Sequence, residues 1–337
     1  MVRVGVVGAG GWGRNLVRNF AGMKGAELTA VCDVNEDVRK TNGKLYPGVR
    51  LFGSFDKILE EQGVEALVVA TPASTHFDLS RKALKAGKHV FVEKPFTMKS
   101  EEAVELAELG EQTGLTVMVG HLLEYHPAVT KLKEMVERGE LGKLYYMYTE
   151  RVNLGIVRKE ENAWWSLAPH DISVILYLFN EQPESVSVRG QGFLQEGVED
   201  VAFGNLHFAD GRMAQIHVSW LDPRKSRRMV VVGDRRMASF DDMEPSEKIR
   251  LFDKGVSVVK DGYASYEESI RLRSGDIMIP AIVLSEPLRV ECEHFVECVT
   301  KGVRPRSDAQ DGLRVVRVLE AGEESLRSGG KPVKIPG

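Results

Sequence analysis

Short apolar runs separated by amphipathic stretches dominate the amino-terminal third of the chain. Runs at 2–7, 28–31, 49–52, 66–70, 89–92 and 116–119 predict strands, and patterns at 54–61, 77–86 and 100–113 predict helices between them. Strands that alternate with helices form parallel βαβ units with right-handed crossovers, because a parallel neighbour needs a connection long enough to hold a helix. After residue 121 the pattern changes. One helix is predicted over 128–138, followed by extended segments at 144–152, 186–190, 200–208, 212–220, 228–232, 237–240, 248–252 and 256–259. Ala209-Asp210-Gly211 between two of these is a hairpin turn. The segments predict an open antiparallel meander, with late helices at 287–300 and 309–327 that cover one face or return toward the first domain.

The first apolar run passes directly into Gly8-Ala9-Gly10-Gly11-Trp12-Gly13 and then a helical pattern through Phe20. This is G-x-G-x-x-G in a strand-turn-helix context. Gly8 permits the tight turn, Gly10 lets the backbone approach a pyrophosphate, and Gly13 lets the helix pack on the strand. Gly11 and Trp12 complete the loop, and the helix N-terminus offers amide donors and a positive dipole. The second run ends at Cys32-Asp33, twenty residues beyond Gly13, where a carboxylate accepts hydrogen bonds from the adenosine ribose. Asp33 repels a 2′-phosphate and no arginine follows it immediately, so NAD is expected rather than NADP, with Arg39 the neighbour that argues the other way. The fold class is therefore α/β: a doubly wound parallel Rossmann sheet over 1–121, and over 122–337 an α/β domain with a large, open, mostly antiparallel sheet. The carboxyl ends of parallel strands share one edge. Thr71 and Pro72 with His76, then Glu93, Lys94 and Pro95, then His121 are expected to face the cofactor there, with Lys94 near the nicotinamide. Glu124, Tyr125 and His126 are further candidates for lining the cleft.

In the second domain the stretch from Asn153 to Asp171 is dense in polar and aromatic groups, as binding loops are. Pro169 suits the first turn of a helix and Asp171 its positive end, which would place His170 at a helix N-terminus and keep its ring neutral. A capping or core histidine is the plainer reading of His170 alone, as a core pair is of Trp164-Trp165.

At 337 residues the chain is long for one domain and comfortable for two. Hydrophobic content of 43% without a long uncharged run excludes a membrane-spanning helix, and no signal peptide precedes the first strand, so a soluble cytoplasmic protein is expected. Cys32, Cys292 and Cys298 form neither an even framework nor a C-x-x-C pair, which fits buried thiols in a reducing compartment. No metal-ligand cluster is legible. A net charge of −4 and a pI near 6.1 argue against nucleic acid as partner. The basic group Arg224, Lys225, Arg227 and Arg228 reads as a solvated hairpin rim.

Together these motifs resemble the glucose-fructose oxidoreductase, inositol dehydrogenase and MocA-like family. The resemblance is carried by G-A-G-G-W-G at 8–13, A-T-P-A-S-T-H-F at 70–77, E-K-P at 93–95 and His170, and covers nearly the whole chain. V-N-L-G at 152–155, A-P-H-D-I-S at 168–173 and S-W-L-D-P-R-K at 219–225 look most like the branch with sugar-nucleotide 3-dehydrogenases, which act on UDP-N-acetylhexosamines and their uronates. The resemblance implies that Lys94 contacts the reacting hydroxyl and the nicotinamide region, and that His170 is the acid/base.

Oxidising a secondary alcohol requires hydride transfer to the cofactor and removal of the hydroxyl proton. A lysine with the reference pKa of about 10.4 serves best as hydrogen-bonding partner of a developing alkoxide, whereas a histidine of about 6.5 can take the proton. Many relatives carry an aspartate four residues before this histidine, where this chain has Ser166; Asp171, water or the substrate would have to replace it. Asn153, Arg158, Asn162 and Trp165 are expected substrate contacts beside Lys94 and His170, Arg158 the best suited to phosphate or carboxylate. The expected reaction is NAD-dependent dehydrogenation of a carbohydrate, at C3 of a nucleotide-linked amino sugar. A free polyol or hexose as substrate and a sensor without turnover are the alternatives. The open sheet suggests a homodimer or homotetramer.

Overall fold

The computed structural model describes residues 1–155, 157–158, 161–258 and 270–337. The chain forms two compact units, Met1–His126 with Ser285–Arg317, and Pro127–Leu284 with Val318–Gly337. The segment carrying the first late helix therefore belongs with the amino-terminal unit, whose first segment runs slightly past the break expected after residue 121.

In the first unit the chain runs β1 (Val2–Val7), α1 (Gly13–Ala21), β2 (Ala26–Cys32), α2 (Glu36–Leu45), β3 (Arg50–Phe52), α3 (Phe55–Leu59) and β4 (Ala66–Val69). It continues through α4 (His76–Lys85), β5 (His89–Glu93), α5 (Ser100–Thr113) and β6 (Val117–Gly120). The six strands are parallel in the order β3-β2-β1-β4-β5-β6. That order reverses between β1 and β4, so connections leave their carboxyl ends in opposite directions and open a crevice there. The central strands β4, β5 and β6 are covered on both faces, which is why they read as continuous apolar runs, whereas β3 at the edge is largely exposed. α2 escapes a hydrophobic pattern because its sequence is polar and Asn42 is its only buried residue; Asn35 starts it by accepting from the Asp37 and Val38 amides.

The second unit begins with α6 (Pro127–Glu137), β7 (Leu144–Val152) and α7 (Ala163–Phe179). There follow β8 (Ser185–Gln191), β9 (Val201–His207), β10 (Met213–Ser219), β11 (Ser226–Gly233), β12 (Met237–Asp241), β13 (Ile249–Val258) and β14 (Ile270–Met278). After α8 (Pro287–Lys301), α9 (Ala309–Arg327) crosses the boundary between the units, and β15 (Val333–Lys334) completes the second sheet. Its nine strands lie in the order β14-β13-β12-β11-β7-β10-β9-β8-β15. Every pairing is antiparallel except β7 with β10, so the sheet is mixed rather than a pure meander.

Two separate strands were expected at 248–252 and 256–259. They are one strand, β13, because Asp253-Lys254-Gly255 is absorbed as a register irregularity against β14 rather than a turn; Val259 lies outside the described residues. The hairpin at Ala209-Asp210-Gly211 joins β9 to β10, with Gly211 at φ +85. In β10 the inner residues Ala214, Ile216 and Val218 are buried and Met213 is exposed. On that outer face Phe203 stacks on His217, ring centroids 4.4 Å apart.

In the first unit Phe20 of α1 and Phe91 of β5 meet Phe295 of α8 at 6.4 and 5.6 Å between centroids, and Ile58, Leu84 and Leu106 pack the opposite face. In the second unit Trp164 of α7 is fully buried and donates its Nε1 proton to the Leu319 carbonyl of α9 at 3.1 Å. No helix among the described residues is long and apolar enough to cross a membrane.

Candidate active site

The glycine-rich turn after β1 has the shape that its sequence requires. Gly8 sits at φ +83, and a Cβ there would lie 2.6 Å from the Ala70 carbonyl oxygen; one on Gly13 would lie 1.7 Å from that of Gly8. These two glycines let β1, β4 and α1 close on one another. Gly10 and Gly11 are different: a Cβ on Gly11 meets nothing within 4 Å, and one on Gly10 only the Asp33 carboxylate at 3.9 Å. The outer side of the loop is therefore open beside Asp33. Asp33 is held by two amides, with Ala9 N donating to Oδ2 and Asn35 N to Oδ1, both at 2.9 Å. α1 starts without a side-chain cap or an acidic residue in its first turn, leaving its positive end to an anion. Open loop, helix terminus and fixed carboxylate fit the pyrophosphate and ribose of a dinucleotide. Arg39 donates to the carbonyls of Asp33 and Val34 at 2.7 and 3.0 Å, so its guanidinium braces the turn after β2.

Lys94 leaves the carboxyl end of β5 half-buried, and its peptide bond to Pro95 is cis. Glu93 beside it accepts from Trp12 Nε1 at 2.5 Å through Oε1 and from the Lys94 amide at 3.3 Å through Oε2. Burial pushes the Glu93 carboxyl up to about 6, against the Trp12 hydrogen bond and the charges of Lys94 and His121.

Two other residues expected to face the cofactor, His76 and His121, are buried. His76 is 1% exposed, its Nδ1 2.7 Å from the Pro95 carbonyl oxygen and its Nε2 2.9 Å from that of Thr71, so it ties together the segments that follow β4 and β5. His121 is also 1% exposed, and its Nδ1 lies 2.7 Å from Asp311 Oδ2 and 3.4 Å from Glu124 Oε1. Burial alone would lower its pKa, but hydrogen bonds to Asp311 and Glu124 outweigh it and hold the imidazolium up to about 9. Burial and the Asp311 charge push Glu124 up to about 8.

The ligand atoms of His121, Glu124 and Asp311 fall within 4.8 Å of one another, a donor set that by composition could hold a metal. A hydrogen-bonded His121–Asp311 contact, with Arg314 Nη2 donating to the other Asp311 oxygen at 2.6 Å, reads instead as a proton-neutralised ion cluster. The partnership spans 190 residues, and nothing local in the sequence announces it. Glu124, Tyr125 and His126, expected at the cleft, are 1%, 1% and 6% exposed and belong to the interior.

In the second unit α7 starts six residues before Pro169. Asn162 caps it, accepting from Trp165 N at 3.0 Å, while its amide donates to Glu199 and Glu323 at 2.8 and 3.0 Å. Pro169 lies inside the helix, and His170 follows it there rather than at the N-terminus, so the expected dipole effect on the ring does not apply. His170 is half-buried in a helix most of whose residues are fully buried. Asn162 and Trp165, expected as substrate contacts, are 8% and 7% exposed and serve the cap and the core.

Asn153 is half-buried; Arg158 is exposed and paired with Glu161, and its carbonyl accepts from Gln195 Nε2 at 2.9 Å. Residues 156, 159 and 160 of this stretch lie outside the described residues. Arg224, Lys225 and Arg228 are exposed around the start of β11.

Two family models match the chain. Residues 2–121 match the oxidoreductase family with an NAD-binding Rossmann fold, and residues 129–239 match the GFO/IDH/MocA C-terminal domain. The chain belongs to the GFO/IDH/MocA oxidoreductase family. Among its relatives, UDP-N-acetylglucosamine 3-dehydrogenase of Acidithiobacillus ferrooxidans is 28% identical over 94% of each chain. A solved structure of that protein has a TM-score of 0.81 at 25% identity, over 97% of this chain and 98% of that one. The scyllo-inositol 2-dehydrogenase (NAD(+)) of Bacillus subtilis is 27% identical over 99% of this chain and 96% of its own. An uncharacterized oxidoreductase of Streptococcus pneumoniae is 28% identical over 64% of this chain, which spans 61% of that protein.

As a GFO/IDH/MocA oxidoreductase, the protein takes NAD on the Rossmann unit just described. At Ser166 it holds no carboxylate to orient His170; Ser166 Oγ accepts from Trp220 Nε1 at 3.1 Å. Asp171, the nearby alternative, is 1% exposed and bound by Arg151 through Nε at 2.7 Å and Nη2 at 3.2 Å. Burial raises the Asp171 carboxyl, and Arg151 only partly counters it.

Proposed function

We propose that the protein is an NAD-dependent dehydrogenase of a carbohydrate, acting on the C3 hydroxyl of a UDP-linked N-acetylamino sugar or its uronate. The observation that carries the reaction class is Lys94, half-buried at the carboxyl edge of a sheet whose glycine-rich loop and Asp33 fit the dinucleotide. The bound cofactor supplies the hydride acceptor. In this reading the Lys94 ammonium donates a hydrogen bond to the substrate hydroxyl and stabilises the alkoxide that develops on it. His170 takes the hydroxyl proton, and Arg158 meets an anionic group of the substrate. The choice of substrate is supported by the near full-length similarity to a UDP-N-acetylglucosamine 3-dehydrogenase.

A free polyol is the second reading, favoured by the equally long match to an inositol dehydrogenase. Initial rates of NADH formation with UDP-N-acetylglucosamine, its uronate, inositols and free hexoses separate the two. The first reading expects turnover only with the nucleotide-linked sugars, and turnover confined to free polyols would overturn it. Homo-oligomerisation through the outer face of the nine-stranded sheet is part of the same proposal, supported by exposed Tyr146, Phe203 and Met213.

A further inference from the structure

Trp12 is the one fingerprint residue whose side chain reaches across the sheet edge. It lies between Gly11 and the first residue of α1, and its indole N–H is bonded to Glu93, 81 residues away at the end of β5. The other tryptophans, Trp164, Trp165 and Trp220, are 0%, 7% and 2% exposed, whereas Trp12 is 46% exposed. A large, half-exposed aromatic ring on a loop of glycines is costly to order unless something holds it. What holds it is a carboxylate whose second oxygen accepts the amide proton of Lys94. The same carboxylate fills the space above Gly120 of β6, where a Cβ would stand 3.1 Å from Oε2.

We propose that the Trp12–Glu93 hydrogen bond is a latch that fixes the glycine-rich loop to the end of β5, so that cofactor retention and the seating of Lys94 depend on one carboxylate. This rests on the dinucleotide reading of the loop, and goes beyond it by making Trp12 and Glu93 a coupled pair of positioning residues. With the indole edge pinned, the ring presents a fixed apolar wall beside the open side of Gly10 and Gly11. Without the bond the loop keeps the Ala9–Asp33 contact and backbone bonds from Gly8 N to the Cys32 carbonyl and from Arg14 N to the Gly10 carbonyl, none of which ties it to β5.

The groups that face Glu93 are Trp12 from the loop, Lys94 from its own segment, His121 beyond β6, and Glu291 and Cys292 from α8. Glu291 is fully buried and, from burial and the charges of Glu93 and Glu124, is held well above the ordinary carboxylate range.

Two measurements test the latch without substrate. The first is a double-mutant cycle on the dissociation constant of NADH, using Trp12→Phe, Glu93→Ala and the double variant. Each single variant is expected to weaken binding about tenfold, or about 1.4 kcal/mol, and the double variant no further than either single one. A double variant weakened by the product of the two effects overturns the latch. A wild-type protein that binds no NADH would instead overturn the dinucleotide reading itself.

The second measurement is the tryptophan emission of the protein without cofactor as a function of pH. Trp12 is the tryptophan that solvent quenchers reach, so its quenchable emission is expected to titrate near pH 6 in the wild type and to be flat in Glu93→Gln, which keeps an acceptor but no charge. A titration that persists unchanged in Glu93→Gln contradicts the proposal.

Discussion

In the proposed reaction Lys94 and Asp33 carry most of the chemistry that one residue can carry. Replacing Lys94 by Ala removes a preorganised donor to the developing alkoxide, and such donors are worth about 10²–10³ in kcat. A loss of that size in kcat, with NADH affinity kept within a few-fold, is expected; steady-state rates beside equilibrium cofactor titration measure both. Replacing Asp33 by Ala removes the acceptor for the ribose hydroxyls, so the NAD dissociation constant is expected to rise about tenfold and the preference over NADP to shrink. Competitive titration of the two cofactors measures it. Both residues were legible in the sequence because each stands at a fixed distance from a motif that sets its strand end. The same kind of placement did not announce the burial of His76 and His121. Position on the carboxyl edge says which end of the sheet a residue occupies, but not whether its side chain turns toward solvent or is drawn inward by a carbonyl or by Asp311.

Among the elements, α7 shows how a local signal can mislead. Pro169 is favoured in a first helical turn, yet Asn162 had already begun the helix, and an internal proline is tolerated where tertiary packing supplies what its missing N–H cannot. Asn162→Ala removes the cap and the donor shared by Glu199 and Glu323, and is expected to lower stability by about 1–2 kcal/mol; the urea midpoint of unfolding measures the change. The parallel strands were readable because burial on both faces leaves unbroken apolar runs. The edge of the second sheet was not: β14 places a glycine and four charged or hydroxyl residues within Ile270–Met278, a composition that does not favour a strand.

For the whole molecule, the two-unit organisation leaves a buried proton site inside the first unit that joins the end of β6 to α9. His121 rises from 6.5 to about 9 and Glu124 from 4.5 to about 8, so the folded protein binds these protons more tightly than the unfolded chain does. Their stabilisation is present in full at low pH. It fades as pH rises from about 4.5 to about 8 for Glu124 and from about 6.5 to about 9 for His121. Asp311 is shifted the opposite way and loses its contribution on the acid side. The thermal midpoint is therefore expected to fall between pH 6.5 and 9, and His121→Gln to flatten that dependence, as calorimetry across the range would show. The central claim concerns the reaction, and isotope transfer tests it most directly. UDP-N-acetylglucosamine, or its uronate, carrying deuterium at C3 is incubated with NAD and the protein, and the NADH formed is weighed by mass spectrometry. The account predicts that the NADH carries the deuterium; unlabelled NADH, or none from either sugar nucleotide, would contradict it.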